Sequence, residues 1–233
     1  MIVVGIETAT PQTSVAIGTE AQILGRIQVA GRARQEAVTP ALDQLLRWTG
    51  ITLDQVGGFT VGIGPGLFTC LRVGVVTAKT LAQVTGAPIL GIPSLDTLAY
   101  AVRFTKRAIA AVIDGRRGEV FSALYRPVPG GVMRETDYAV HQPEHLAAEL
   151  EAFPGEVLAV GDGAILYRDV LQEIGARIGF APAAMANPDA ASLVELAAPR
   201  FLREEHDRVF EVVPMYLRKT DAEIAWDRRA RGV

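Results

Sequence analysis

Two carboxylates and two glycine clusters sit where this 233-residue chain could do chemistry. Glu7 ends the apolar run "IVVGIE" before "TATPQ", and Asp114 ends "AIAAVID" before "GRRG". Glycines mark "GIGPGLFTCLRVG", Gly62 to Gly74, and "VGDGA", which holds Gly161 and Gly163. Open α/β sheets bind ligands at strand ends of this kind, so Glu7, Thr8, Asp114, Gly161 and Gly163 are candidate nucleotide or anion contacts. The plainer role is structural: the carboxylates cap turns and the glycines relieve backbone strain. Gly64-Pro65-Gly66 opens a helix, and free N–H groups at a helix start attract anions. Gly64, Gly66 and Thr69, with Arg72 close by, therefore outline a weak anion site. It is not a P-loop. Leu67, Phe68 and Thr69 follow Gly66 where Lys and Ser/Thr are needed, and Lys79-Thr80 lies more than three helical turns on.

Other chemistry finds little support. "HQPEH" places His141 and His145 four apart. Pro143 between them starts a helix, because it lacks an N–H and presets the dihedral. His141 then precedes the helix and is not expected to share a face with His145, and the pattern is not H-E-x-x-H. No metal site is expected. His206 in "REEHDR" reads as part of a solvated charge run. Cys70, the one cysteine, allows neither a disulfide framework nor a thiolate cluster within the chain. It lies on an apolar helix and reads as a small buried residue. No G-x-S-x-G elbow is present, so peptidase activity is not expected.

The elements that must position these residues follow from periodicity and punctuation. "IVVGI", "TSVAIG" and "AQILGRIQVA" read as three strands. A helix fits Glu36 to Thr49 with Gly50 as its stop, followed by the strand "GGFTVGIG". A second helix fits Leu67 to Val84, ended by Gly86. "APILGIP" is a strand, and Ser94 caps a third helix to Arg103. The order βββαβαβα then restarts. "AIAAVIDG", "GEVFSALYR" and "VMRETDYAV" are strands, and Pro143 to Ala152 is a helix. "EVLAVGDG" is a strand, Ile165 to Gly175 a helix, and Asp189 to Arg203 a last helix after a short apolar link. Two similar lobes are predicted, each a mixed sheet flanked by helices.

The composition agrees with a globular chain: 49% apolar, 21% charged, net charge −3. That charge gives no broad basic surface of the kind that grips nucleic acid unaided. Arg228, Arg229 and Arg231 read as a solvated tail. The first apolar run is too short for a signal peptide, and no run reaches the roughly 20 residues of a membrane span. A cytoplasmic protein is expected.

"GIETAT", "GPGLFTCLRVG", "IPSLDTLA", "AVIDGRRGEVF" and "PMYLR" together resemble the bacterial TsaB (YeaZ-like) family, within the Gcp/M22 glycoprotease-like superfamily, from Ile2 to Arg218. The resemblance implies the α/β actin-like ATPase (ASKHA, ribonuclease H-like) fold. It implies an N-terminal lobe of 1–104 with about 214–233, and a C-terminal lobe of 105–213. It also implies a non-catalytic subunit for synthesis of threonylcarbamoyladenosine in tRNA. Such a subunit pairs with TsaD, which transfers the threonylcarbamoyl group to the adenosine after the anticodon. A TsaE ATPase joins the pair, tRNA is met only through the complex, and homodimers form through the same surface. No cofactor is implied. The histidine pair of TsaD-like chains would fall on Ser94 and Leu98, neither a useful ligand. The fold's kinases carry glycine in the first phosphate turn, where this chain has "ETATPQTS", and Pro11 removes one donor. A small-molecule kinase of this fold, resting on Glu7, Asp114 and the glycine turns, is the rival reading; a metallopeptidase is the third.

Cys70, Gly74, Ala78 and Ala82 recur every four residues, a small-residue stripe that lets another backbone come close. Periodicity does not say whether that backbone is the lobe's own sheet or another chain. The resemblance implies the latter, since the family dimerises through this helix and the one before it. Arg34, Val38, Leu42 and Leu46 also advance by four. With Phe68, Arg72, Gly74, Val76 and Ala78 they form the expected partner surface, although the apolar members would serve equally as core. Cys70 stands where the family usually has glycine, and Arg34 where many relatives have histidine.

Overall fold

The computed structural model describes residues 1–31 and 36–218. The first half runs β1 (Ile2–Glu7), β2 (Gln12–Gly18), β3 (Ile23–Ala30), α1 (Val38–Thr49), β4 (Val56–Gly62), α2 (Phe68–Thr85), β5 (Ile89–Ile92) and α3 (Ser94–Ala101). Its sheet has the order β3-β2-β1-β4-β5. The β1–β2–β3 pairs are antiparallel, whereas β1–β4 and β4–β5 are parallel and need crossover helices. The β1 run is apolar at successive positions because both faces of that strand are covered. Gly50 and Gly86 end α1 and α2 in the left-handed conformation, as a C-terminal glycine does.

The second half repeats the plan with β6 (Ala108–Arg116), β7 (Glu119–Val128), β8 (Gly131–Arg134), β9 (Ala139–His141), α4 (Pro143–Ala152), β10 (Val157–Val160), α5 (Asp162–Leu166), α6 (Arg168–Gln172), β11 (Ile178–Phe180) and α7 (Ala190–Leu202). Its order, β11-β10-β6-β7-β8, mirrors the first sheet, with β9 also on β7. Here the expectations need correction. "VMRETDYAV" is two strands, because the Thr136 hydroxyl takes the Leu124 N–H that a continuous ladder would use. The helix expected over Ile165 to Gly175 starts earlier and breaks at Tyr167, leaving Ile165 and Leu166 exposed. The apolar link before α7 contains β11.

The last helix of each half crosses to the other sheet. α3 packs Leu95, Leu98 and Ala99 against Ile109, Ile113 and Phe121 of the second sheet. α7 packs Leu193, Val194, Ala197 and Phe201 against Val3, Ala16 and Leu90 of the first. Gly5 lets it sit there, since a Cβ at that position would come within 2.6 Å of the Ala190 carbonyl oxygen. Assigning all of 105–213 to the second lobe therefore fails for α7. It also fails for the segment after it: Asp207 bonds the β5 backbone at Ile89 and Gly91, and Val212 is in the first core.

Candidate functional site

Glu7 is 1% exposed at the end of β1, and every polar contact it makes is internal. Its Oε1 accepts the backbone N–H groups of Thr8 and Ala9, each at 2.8 Å. Its Oε2 accepts the Ser94 hydroxyl at 3.0 Å. Ser94 does not cap α3; it is that helix's first residue and spans Glu7 and the Gly64 backbone. Burial outweighs these hydrogen bonds and pushes the Glu7 carboxyl up from 4.5 to about 7. The turn N–H groups that a phosphate would need at Thr8 and Ala9 are thus held by the chain's own carboxylate. Gly62 is glycine because a Cβ there would overlap the Glu7 carboxylate.

The helix start beside it is also occupied. The Ala9 carbonyl accepts the Leu67 N–H at 2.7 Å, and it lies where a Cβ of Gly66 would be. An oxygen dipole already faces the first turn of α2, where an anion was expected. Thr69 points outward from this turn and is exposed, and Gly64 is buried with its N–H on Ser94. Thr8 turns inward: its hydroxyl donates to the Cys70 carbonyl at 2.8 Å.

The corresponding turn in the second half is more open. Asp114 Oδ1 accepts the Arg116 N–H at 2.8 Å, and Oδ2 pairs with the half-exposed Arg116 guanidinium at 2.9 Å. The Asp114 N–H goes to Asp162 Oδ1, whose carboxyl is pushed up chiefly by burial. Gly161 and Gly163 press on the β6 backbone: a Cβ at Gly161 would overlap the Val112 carbonyl, and one at Gly163 would come within 2.9 Å of Asp114 N. Both glycines serve helix-on-strand packing.

α2 divides into two faces. Cys70, Gly74, Ala78 and Ala82 are buried against the lobe's own sheet. A Cβ on Gly74 would overlap the Thr8 hydroxyl, so this glycine answers to the turn that follows β1. Val38 and Leu42 of α1 are core as well, and Leu46 packs at its edge. Gly74, Ala78, Val38 and Leu42 are therefore inside, contrary to the expectation that they form a partner surface. Arg34 lies outside the described residues. Outside α2 stand Arg72 and Val76, the latter 61% exposed, with half-buried Phe68.

What flanks that outer face comes from far along the chain. Chain 212–216 returns beside α2, held by Met215 N–H on the Ile63 carbonyl and by Lys79 Nζ on the Val212 carbonyl. Tyr216, from "PMYLR", stacks on Phe68 at 4.8 Å, and its hydroxyl accepts Arg72 Nε at 3.1 Å. The Arg72 guanidinium lies 3.8 Å over the Phe68 ring. A groove of about 420 Å³ runs between, lined by Val76, Thr80, Val213 and Tyr216 among others. Trp48 of α1 is 73% exposed. The motif was visible, but its docking on α2 is a contact over 144 residues that no local pattern encodes.

The remaining candidates separate. Ser94 and Leu98 are fully buried, one in the Glu7 cradle and the other in the core. Cys70 is buried. His206 is exposed. His141 and His145, expected on different faces, are together: their rings meet edge to face at 5.2 Å, and both approach Glu149. Burial pushes the His141 imidazole down. No described helix is long and apolar enough to cross a membrane.

Comparison with known proteins places this geometry in context. The family model described as "TsaD: tRNA N6-adenosine threonylcarbamoyltransferase" matches residues 28–226. A protein of Escherichia coli strain K12, named tRNA threonylcarbamoyladenosine biosynthesis protein TsaB, is 28% identical over 98% of both chains. The solved structure of YeaZ from Pseudomonas aeruginosa superposes with a TM-score of 0.79, at 25% identity, covering 93% of this chain and 99% of that one. ROK hexokinase from Thermus thermophilus, at 14% identity and a TM-score of 0.50 over 88% of this chain and all of that one, shares the actin-like fold alone.

Proposed function

The chain belongs to the family described as tRNA N6-adenosine threonylcarbamoyltransferase, in its TsaB (YeaZ-like) branch, and from that premise we propose that it is a non-catalytic subunit of threonylcarbamoyladenosine synthesis in tRNA. It holds a TsaD-like catalytic subunit through the outer face of α2. A TsaE-like ATPase joins the same complex, the free chain self-associates through the same face, and tRNA is met only through the complex, in the cytoplasm. The observation that carries the reading is the sealed Glu7 turn: the N–H groups that would cradle a phosphate are bonded to Glu7, and a carbonyl faces the start of α2. Phe68, Arg72, Val76 and Tyr216 then offer an aromatic and aliphatic patch with a fixed guanidinium, a composition that suits the centre of an interface.

Co-purification with the TsaD-like protein of the same organism tests this. Val76→Glu places a charge without a counterion in the contact, and because Val76 is exposed the fold is not disturbed. Affinity is expected to fall about a hundredfold, roughly 3 kcal/mol. An unchanged pair would move the contact elsewhere. Calorimetry with ATP and Mg²⁺ on the isolated chain addresses the kinase alternative, which micromolar binding with turnover would favour.

A further inference from the structure

A cluster of metal-binding character lies in the second lobe, away from the Glu7 turn and the outer face of α2. One ligand atom each from His141, His145 and Glu149 lie within 4.8 Å of one another. The fold brings them together by a reversal at Gln142. His141 ends β9 opposite Val120 of β7, and α4 begins at once with Pro143 and lies back over the strand. His145 and Glu149 are four apart on α4 and so share a face. The histidine spacing is misleading when read as one helix, because His141 reaches the same point from a strand.

The geometry points to a site for one divalent ion of zinc type, and we propose that His141 Nδ1, His145 Nε2 and a Glu149 carboxylate oxygen are its ligands. Both nitrogens stand 3.9 Å from Glu149 Oε1. Ligands 2.0–2.1 Å from a tetrahedral ion are separated by about 3.4 Å, so small side-chain rotations close the set. His145 and Glu149, 65% and 46% exposed, are free to make them. His141 is the fixed member. Its Nε2 lies 2.8 Å from the buried Ser122 hydroxyl. With Nε2–H donated to that oxygen, the Nδ1 lone pair faces Glu149, which is how an outer partner orients a metal-binding histidine. Two imidazoles and one carboxylate favour zinc, copper or nickel over magnesium or calcium. The ion would tie α4 to the second sheet.

The rival account is an ion-pair cluster that needs no metal, and titration of the untagged full chain with Zn²⁺ decides between them. Saturable binding of one ion per chain is expected, with a rise in unfolding midpoint because the folded state holds the ion. Co²⁺ in its place should give the visible absorption of a nitrogen- and oxygen-bound ion. His145→Ala and Glu149→Gln should each weaken binding at least tenfold, and Ser122→Ala should weaken it as loss of an outer partner does, about tenfold. The first two positions are exposed, so their circular dichroism should match the parent. Absence of one-to-one binding, or binding that both exposed-site variants leave unchanged, overturns the proposal.

Discussion

The two half-sheets follow one strand order, yet they finish their first strands in different ways. Glu7 turns inward, where two backbone N–H groups and one hydroxyl surround it and, among the described residues, no cation pairs with it. Asp114, in the same topological place, holds one N–H and a guanidinium that reaches half into solvent. The first turn is therefore a structural cap embedded in the core, and the second is a surface turn with an ion pair. A cap sealed by neutral dipoles leaves the Thr8 and Ala9 N–H groups unavailable to a ligand. The exposed side chains of the first lobe's α2, Arg72 and Val76 among them, stand on the opposite face from this cap. Equivalent strand ends in a duplicated fold need not keep equivalent duties.

The largest effect is expected where the seal is tightest. Gly62→Ala would push its methyl into the Glu7 carboxylate, which cannot retreat without giving up its three donors. A loss of about 3–5 kcal/mol is expected from overpacking together with broken hydrogen bonds to a buried carboxyl, read as a lowered urea midpoint. A loss below 1 kcal/mol would mean that the Glu7 turn is as loose as the Asp114 turn, and the contrast would collapse.

The next effect is a pH dependence. Glu7 has its folded pKa raised to about 7 from 4.5, so the folded state binds the proton more tightly. Its contribution is fully present below 4.5 and is lost as pH rises through about 7. The stability slope from this one group reaches at most about 1.4 kcal/mol per pH unit in that window. Glu7→Gln keeps an acceptor for Thr8 and Ala9 but cannot ionise. Its stability relative to the parent should therefore rise between pH 5 and pH 8 by about 2 kcal/mol. Asp162 shifts in the same direction, so only the difference between variant and parent isolates Glu7. A flat difference would mean that Glu7 is solvated.

Much of this was legible in the chain itself. Apolar runs ended by Glu7 and Asp114 marked the two first strands, and Gly50 and Gly86 marked the ends of α1 and α2, because these signals are local. The stripe of Cys70, Gly74, Ala78 and Ala82 was visible as a stripe, but its direction was not. Packing on the lobe's own sheet and packing on a partner demand the same small side chains, and the burial of the stripe with the Thr8 hydroxyl against Gly74 decides. The exchange of α3 and α7 was hidden for a related reason: an amphipathic helix records that it has an apolar face, not which sheet receives it. His141 does precede the helix as its spacing implies, but a strand residue just before a helix can still reach a side chain on that helix, and spacing alone does not show this.

The smallest effect tests the open half of the comparison. Arg116→Ala removes the partner of Asp114 but keeps the Arg116 N–H that caps the turn. Only the Arg116 end is half exposed, the Asp114 carboxylate being buried, but water can replace the guanidinium and the Arg116 N–H stays on Oδ1, so the cost stays near the upper end of the roughly 0–1 kcal/mol of an exposed pair. Arg116 has φ 63°, in the left-handed region, and alanine keeps that cost unchanged. The urea midpoint should therefore fall by less than the equivalent of about 1 kcal/mol, and the fall should shrink in high salt as screening weakens the pair. A loss as large as that of Gly62→Ala would show that the second turn is sealed as tightly as the first. The inward turn of Glu7 would then no longer set the first half apart.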